Sequence, residues 1–156
     1  MVDIRQAVDA DADDMVEVQN AIYCAGLRSG PVDIATVRER YLEMSYRIAC
    51  TVADKDGRVI AFQSLKWAWP DNPYGLAADW GIIGTHVHPE AGRSGLGRRL
   101  FEESLAAARV AGIAHIDASI GADNAPALSY YAAMGFAPYM RRGGDIAHRL
   151  DLEGSV

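Results

Sequence analysis

Between residues 80 and 112 an apolar stretch closes on a proline, gives way to a glycine-studded turn, and reopens as an amphipathic run. The stretch from about Trp80 to His88 reads as a strand, and Pro89 ends it because proline has no N–H to give a ladder. Gly92-Arg93-Ser94-Gly95-Leu96-Gly97 follows, after which Leu100, Phe101, Leu105 and Ala108 recur at helical spacing until Gly112 stops them. The unit is strand, glycine turn, helix, which places the chain among folds that mix helices with a sheet.

The flanking segments extend this pattern. A first strand is expected from Asp3 to Val8, then a helix capped by Asp9 or Asp11 with Met15, Val18 and Ile22 at helical spacing. Gly30-Pro31 breaks it, and a short helix from Asp33 to near Ser45 puts Ile34, Val37 and Tyr41 on one face. From Tyr46 the period changes to two, with Ile48, Cys50 and Val52 on one side. Asp54-Lys55-Asp56-Gly57 then turns the chain into a strand from Arg58 to Trp67. Residues 70–75 read as an irregular loop. After Gly112 come a strand at His115 to Ile120, a helix from Asn124 to Met134 with Gly135 closing it, and strands near Phe136 to Arg141 and Ile146 to Leu152.

The 156 residues fit one domain, 1–156, and half of them are hydrophobic, enough for one core. A net charge of −6 argues against nucleic acid or an anionic membrane as partner, since both require clustered positive charge. Cys24 and Cys50 each lie in apolar patterns and read as buried thiols rather than a disulfide. The start of the chain is charged and no run of about 18 apolar residues occurs, so a cytoplasmic protein without a membrane span is expected.

Glycines at a helix N-terminus let a ligand approach the backbone, and the unpaired N–H groups with the positive end of the helix dipole suit phosphate. A plain strand-to-helix turn is the simpler reading of the same glycines. The glycine spacing of a Walker loop is met from Gly92 to Gly97, but Arg98 and Arg99 occupy the places of its lysine and hydroxyl. A dinucleotide fingerprint starting at Gly95 puts Leu100 where its third glycine belongs. The turn and the preceding Val87-His88-Pro89-Glu90 resemble the pyrophosphate loop of the GNAT N-acetyltransferases, [QR]-x-x-G-x-[GA]. Gly92 stands at the usual Gln or Arg position and Arg93 comes one place late. Asn124, Ala127, Tyr131 and Gly135-Phe136 match the same superfamily's N-x-x-A-x-x-x-Y-x-x-x-G-F pattern without substitution.

The resemblance implies an α/β (α+β) fold: a mixed, mostly antiparallel sheet of about seven strands, splayed between its central strands and flanked by about four helices. It implies acetyl-CoA as cosubstrate, with the backbone of Thr85, His86 and Val87 beside the pantetheine arm, one N–H there a candidate oxyanion donor. Arg93, Ser94, Gly95, Leu96, Gly97 and Arg98 surround the pyrophosphate in this reading, and Asn124 bonds the arm; Asn124 is equally an ordinary helix cap. Tyr131 stands at the place of the general acid, its phenol protonated at neutral pH and able to donate to the departing thiolate. A core tyrosine facing the same way as Leu128 is the alternative. Neighbouring Tyr130 reads as a bystander.

A base is less plain, because Ile82 and Ile83 stand where some relatives carry a glutamate. His86 has a suitable ordinary pKa and is preferred, with Asp79 or Asp117 as relays. Two histidines at 86 and 88 without a third ligand do not make a metal site, and none is expected. The acceptor pocket falls to residues 23–32 and 67–80, where Arg28 can meet a carboxylate and Trp67, Trp69, Tyr74 and Trp80 can form walls. Ala118 to Asn124 is similar to phosphinothricin and methionine-sulfoximine acetyltransferases, implying the amine of a small amino-acid-like molecule, attacked directly in a ternary complex. Acetylation of a protein N-terminus or lysine, and an inactive coenzyme A-binding module, are the other readings. Relatives that dimerise through terminal strands leave a homodimer open.

Overall fold

The computed structural model describes residues 1–92 and 94–152. Seven strands and four helices follow one another as β1 (Val2–Gln6), α1 (Ala12–Cys24), α2 (Ile34–Val37), β2 (Arg47–Lys55), β3 (Arg58–Trp67), β4 (Trp80–Val87), α3 (Leu96–Ala111), β5 (His115–Gly121), α4 (Ala125–Ala133), β6 (Ala137–Arg142) and β7 (Asp145–Asp151). Helix α2 runs on into one wider turn, Arg38–Leu42, and short 3-10 turns at Asp9–Asp11 and Pro89–Ala91 precede α1 and the glycine turn. The expected fold class and element order are present. No described helix is long and apolar enough to cross a membrane.

The strands form one sheet in the order β1-β2-β3-β4-β5-β7-β6. Every neighbouring pair is antiparallel except β4 and β5. That parallel ladder holds only Trp80↔His115, Gly81↔Ile116 and Ile82↔Asp117. Beyond Ile82 the strand stays paired to β3 through Ala61↔Val87, while β5 stays paired to β7 through Gly121↔Asp145. The sheet therefore opens between its two central strands. Gly81 permits the close approach just before the opening, because a Cβ there would sit 2.9 Å from Ile113 Cδ1.

Alternation along the strands sorts side chains to two faces. Cys50, Val52 and Phe62 pack with Met15 and Val18 of α1 and with Val37 and Tyr41. Leu65 and Ile83 face the other way, into Phe101 and Ala108 of α3, Tyr131 of α4 and the inward residues of β5. Ala53 and Ala61 meet Leu96 and Leu100 at the start of α3. Ile48 departs from the expected pattern: an irregularity between Arg47 and Ala49 shifts the register, so Ile48 packs on the α3 side. Cys24, the last residue of α1, is exposed rather than buried, since the helix has there passed beyond the core; Cys50 is buried as expected.

Polar side chains fix the turns. Asp54 Oδ1 accepts from Gly57 N at 2.8 Å, with Asp56 and Gly57 at φ 53 and 92 closing the hairpin. Asp11 does not cap α1 with its side chain; it accepts from Val8 N and binds Arg5 through both oxygens. Asn20 holds the loop after α1 by bonding both the N–H and the C=O of Val32. On β5, Asp117 is fully buried and takes both terminal nitrogens of Arg142, at 2.9 and 3.0 Å, and the Tyr139 hydroxyl.

Removing one member of a buried ion pair leaves the other uncompensated. Asp117→Ala is expected to lower unfolding stability by about 3–5 kcal/mol in urea titration. A loss below about 1 kcal/mol means that Arg142 finds water and the pair does not hold β5 to β6.

Candidate active site

Where β4 and β5 part, α4 reaches across to β4. The Tyr131 hydroxyl lies 2.8 Å from Thr85 Oγ1, three residues past the last β4–β5 pair. Gln63, on β3 opposite Thr85 and fully buried, donates from Nε2 to Thr85 Oγ1 at 2.8 Å and to the Tyr130 hydroxyl at 2.9 Å. Tyr130 in turn donates to the carbonyl of Gly97 at 2.7 Å. A phenol has one proton and a primary amide two, so this chain spends the Tyr130 proton on Gly97 and both Gln63 Nε2 protons on the two hydroxyls. Gln63 Oε1 is buried without a partner among the described residues. Burial raises the pKa of both phenols above the ordinary tyrosine value, most strongly at Tyr131.

The glycine turn meets the same network from its other end. Gly95 sits at φ +77 as the residue before α3 and offers no side-chain cap. The first helical bond among its neighbours runs from Arg99 N to Gly95 O, and the N–H groups of Leu96, Gly97 and Arg98 have no helical partner among the described residues. Ser94 Oγ donates to Ala91 O at 2.6 Å and braces the turn. Tyr130 roofs Gly97 so closely that a Cβ would lie 2.6 Å from its Cε1. Leu96 is buried against Leu100, so only its backbone is available to a ligand. Arg93 lies outside the described residues. Asn124 caps α4 by accepting from Ala127 N at 3.3 Å.

The opposite face of β4 presents Ile82, Gly84 and His86, none a carboxylate, toward α1 and α2. The His86 ring packs 4.7 Å from that of Phe62 and 5.8 Å from that of Tyr41. It folds back over Gly84, where a Cβ would be 3.4 Å from Nε2. Burial, reinforced by the positive charges of Arg28 and Lys66, pushes its pKa down to about 3. His88 accepts from Glu90 N and caps the turn after the strand. Asp79 is exposed, and Asp117 is committed to Arg142 and Tyr139.

The aromatic residues expected to wall one pocket divide. Trp80 stacks with His115 and Tyr139 under Arg149, while Tyr74 lies beside Arg142. Trp67 and Trp69 line an open cavity of about 560 Å³ with Tyr46, Asn72 and Leu76. Asn72 builds that loop, its amide bonding Trp69 O and Leu76 O while its oxygen accepts from Tyr74 N and Leu76 N. Arg28 is tied to its own loop through Gly30 O at 2.8 Å. Among the described residues no group of three His, Cys, Asp or Glu is placed to hold a metal.

Gln63, Tyr130 and Lys66 were not singled out from sequence, and Tyr130 proves to be more than a neighbour of Tyr131. A signal existed for two of them: Gln63 and Lys66, with Ser64 between them, are polar residues inside the largely apolar stretch Ala61–Trp67, where burial demands a reason.

Comparison with known proteins agrees with this architecture. Residues 13–136 match the acetyltransferase (GNAT) family. An S-(2-succino)cysteine N-acetyltransferase of Bacillus subtilis is 30% identical over 106 residues, covering 63% of this chain and 60% of that protein. A crystal structure assigned provisionally to a phosphinothricin N-acetyltransferase superposes with a TM-score of 0.80 at 20% identity over 99% of this chain and all of that one. The PaiA N-acetyltransferase of Thermoplasma acidophilum, solved with coenzyme A, gives 0.76 at 20% identity over 97% and 99%. At such identities these structures speak for the fold, and the family match covers most of the sequence: the chain belongs to the GNAT family of acetyltransferases.

Proposed function

We propose that this GNAT acetyltransferase moves the acetyl group of acetyl-CoA onto the amine of a small, amino-acid-like molecule, by direct attack with both substrates bound. The observation that carries the reading is the opened β4–β5 ladder with the Tyr131 hydroxyl beside Thr85 at its mouth. Past Ile82 the β5-facing edge of β4 has no strand partner, so backbone groups from Thr85 to Val87 suit an extended amide-bearing arm. The N–H groups of Leu96, Gly97 and Arg98, without helical partners among the described residues, and Gly95 and Ser94, which shape the turn, suit a pyrophosphate. Asn124 remains a candidate for the arm, although its oxygen already caps α4.

Bound acetyl-CoA supplies the thioester whose carbonyl carbon the amine attacks. Tyr131 then gives its proton to the departing thiolate, and the proton that the acetylated nitrogen releases restores the phenol. Its raised pKa keeps the phenol neutral until a strong base appears beside it. Gln63 favours one direction for that transfer. Its N–H occupies one of the two lone pairs of Thr85 Oγ1, and when Thr85 uses its own proton on the Tyr131 oxygen, one of the two directions this contact allows, the Tyr131 proton is left to point at sulfur.

His86 contributes differently from a base that holds the substrate's proton. With its pKa near 3 the imidazole is neutral throughout the working range and serves as a hydrogen-bond acceptor that orients the amine. The ammonium loses its proton to solvent before attack.

Thiol release from acetyl-CoA over a panel of amino acids, polyamines and aminoglycosides tests the activity, and a blank panel sinks it. Tyr131→Phe is expected to lower kcat by about 100-fold or more while coenzyme A still binds. Gln63→Leu should lower kcat by about 10-fold. Added to Tyr131→Phe it should change little further, because both act on one proton; full additivity refutes the relay. For His86, the folded pKa lies below the ordinary 6.5, so the native state takes no proton there as pH falls from 7 to 4. The acid limb of kcat/KM should therefore follow the acceptor's ammonium and keep its position in His86→Phe; a limb near 6.5 that disappears in the variant restores His86 as base.

A further inference from the structure

On the face of β3 and β4 that looks toward α1 and α2, the Lys66 ammonium has no anionic partner among the described residues. Lys66 lies opposite Ile82, and its Nζ sits 4.8 Å from the ring centre of Tyr41 and 5.7 Å from that of Trp69. Among the described residues it makes no hydrogen bond to a side chain or carbonyl and no ion pair; the ion pairs present all lie elsewhere. Burial and the nearby charge of Arg40 push its pKa down to about 8. The one group able to offset this is the Cys50 thiol, itself pushed up to about 11 by burial and so uncharged at neutral pH.

The carboxylates packed on this face are engaged elsewhere, Asp11 by Arg5 and Asp14 by Val59 N, and the groups whose charge acts on Lys66, Cys50 and Arg40, are neutral or positive. Tyr41 accepts from the Gln19 amide at 2.8 Å and keeps its proton, His86 is neutral, and the positive charges of Arg28 and Arg40 are felt at the Tyr41 hydroxyl through space. In a chain whose net charge is −6, the surroundings of Lys66 run against the overall sign. A half-buried ammonium without a counter-charge is unfavourable, and an incoming anion removes the penalty. Position matters as much as charge. The Lys66–Ile82 level is two residues along the strand from Gly84, about 7 Å, a reach that the lysine side chain and a small zwitterion cover together.

We propose that Lys66 receives the carboxylate of the acceptor, so that the enzyme selects amines that also carry a carboxylate and rejects polyamines and aminoglycosides. This rests on the acetyl-transfer reading above. It assigns the recognition to β3 rather than to Arg28, whose guanidinium is bound to its own loop. Trp69, shared between the Lys66 contact and the open cavity beyond β3, places the acceptor's side chain toward that cavity.

The test compares kcat/KM for α-amino acids with that for their methyl esters, in wild type, Lys66→Met and Lys66→Arg. The acid-to-ester ratio should fall about 10–100-fold in Lys66→Met and recover in part in Lys66→Arg. A ratio unchanged by Lys66→Met overturns the proposal. A second measurement needs no turnover: NMR titration of the Lys66 Cε signal with and without N-acetyl-L-methionine, the product form of one such acid. The lysine pKa should rise from about 8 when the carboxylate binds, and no rise overturns the proposal. If coenzyme A binds yet no amine of either kind is acetylated, the acetyl-transfer reading fails, and the titration still decides whether Lys66 takes a carboxylate.

Discussion

Three residue pairs hold the two halves of this sheet together, and everything at the site follows from where they stop. A longer β4–β5 ladder would satisfy the backbone of β4 on both edges and leave no room for a ligand arm. The ladder ends at Ile82 and Asp117, and Asp117 is also where Arg142 and Tyr139 lock β5 to β6. Beyond that point β5 turns with the C-terminal strands while β4 stays with β3, and the gap between them carries Thr85 on one side and Tyr131 on the other.

The division of labour between the two faces of β4 is a consequence of the two-residue strand period. Thr85 turns toward α3 and α4, where the hydroxyl network and the glycine turn lie; His86 turns toward α1 and α2, among Phe62, Tyr41 and the basic residues. In the proposed reaction, one strand presents the donor of the acetyl group to one set of residues and its acceptor to another.

Much of this was legible in the sequence because it is carried by backbone chemistry. The glycine turn, the Asn124 to Phe136 pattern and the period changes locate α3, α4 and the strands within a residue or two. Side-chain partnerships were less so. Asp117 offers no hint in sequence that Arg142 and Tyr139 will claim both its oxygens, since they lie on another strand brought near by the β5-β7-β6 order. The exposure of Cys24 and the shift at Ile48 were hidden for a similar reason: a helix end and a strand bulge depend on neighbours, not on local spacing. His86 looked like a base from its ordinary titration, and only its surroundings reveal how strongly the charged form is disfavoured.

The packing of Tyr130 over Gly97 ties two distant stretches of sequence to one another. Any side chain at position 97 has to displace the ring, and any smaller residue at 130 uncovers the turn and frees its carbonyl. Drift at either site is therefore constrained by the other, and a lineage that enlarges 97 must shrink 130 in the same evolutionary step or lose the shape of the turn.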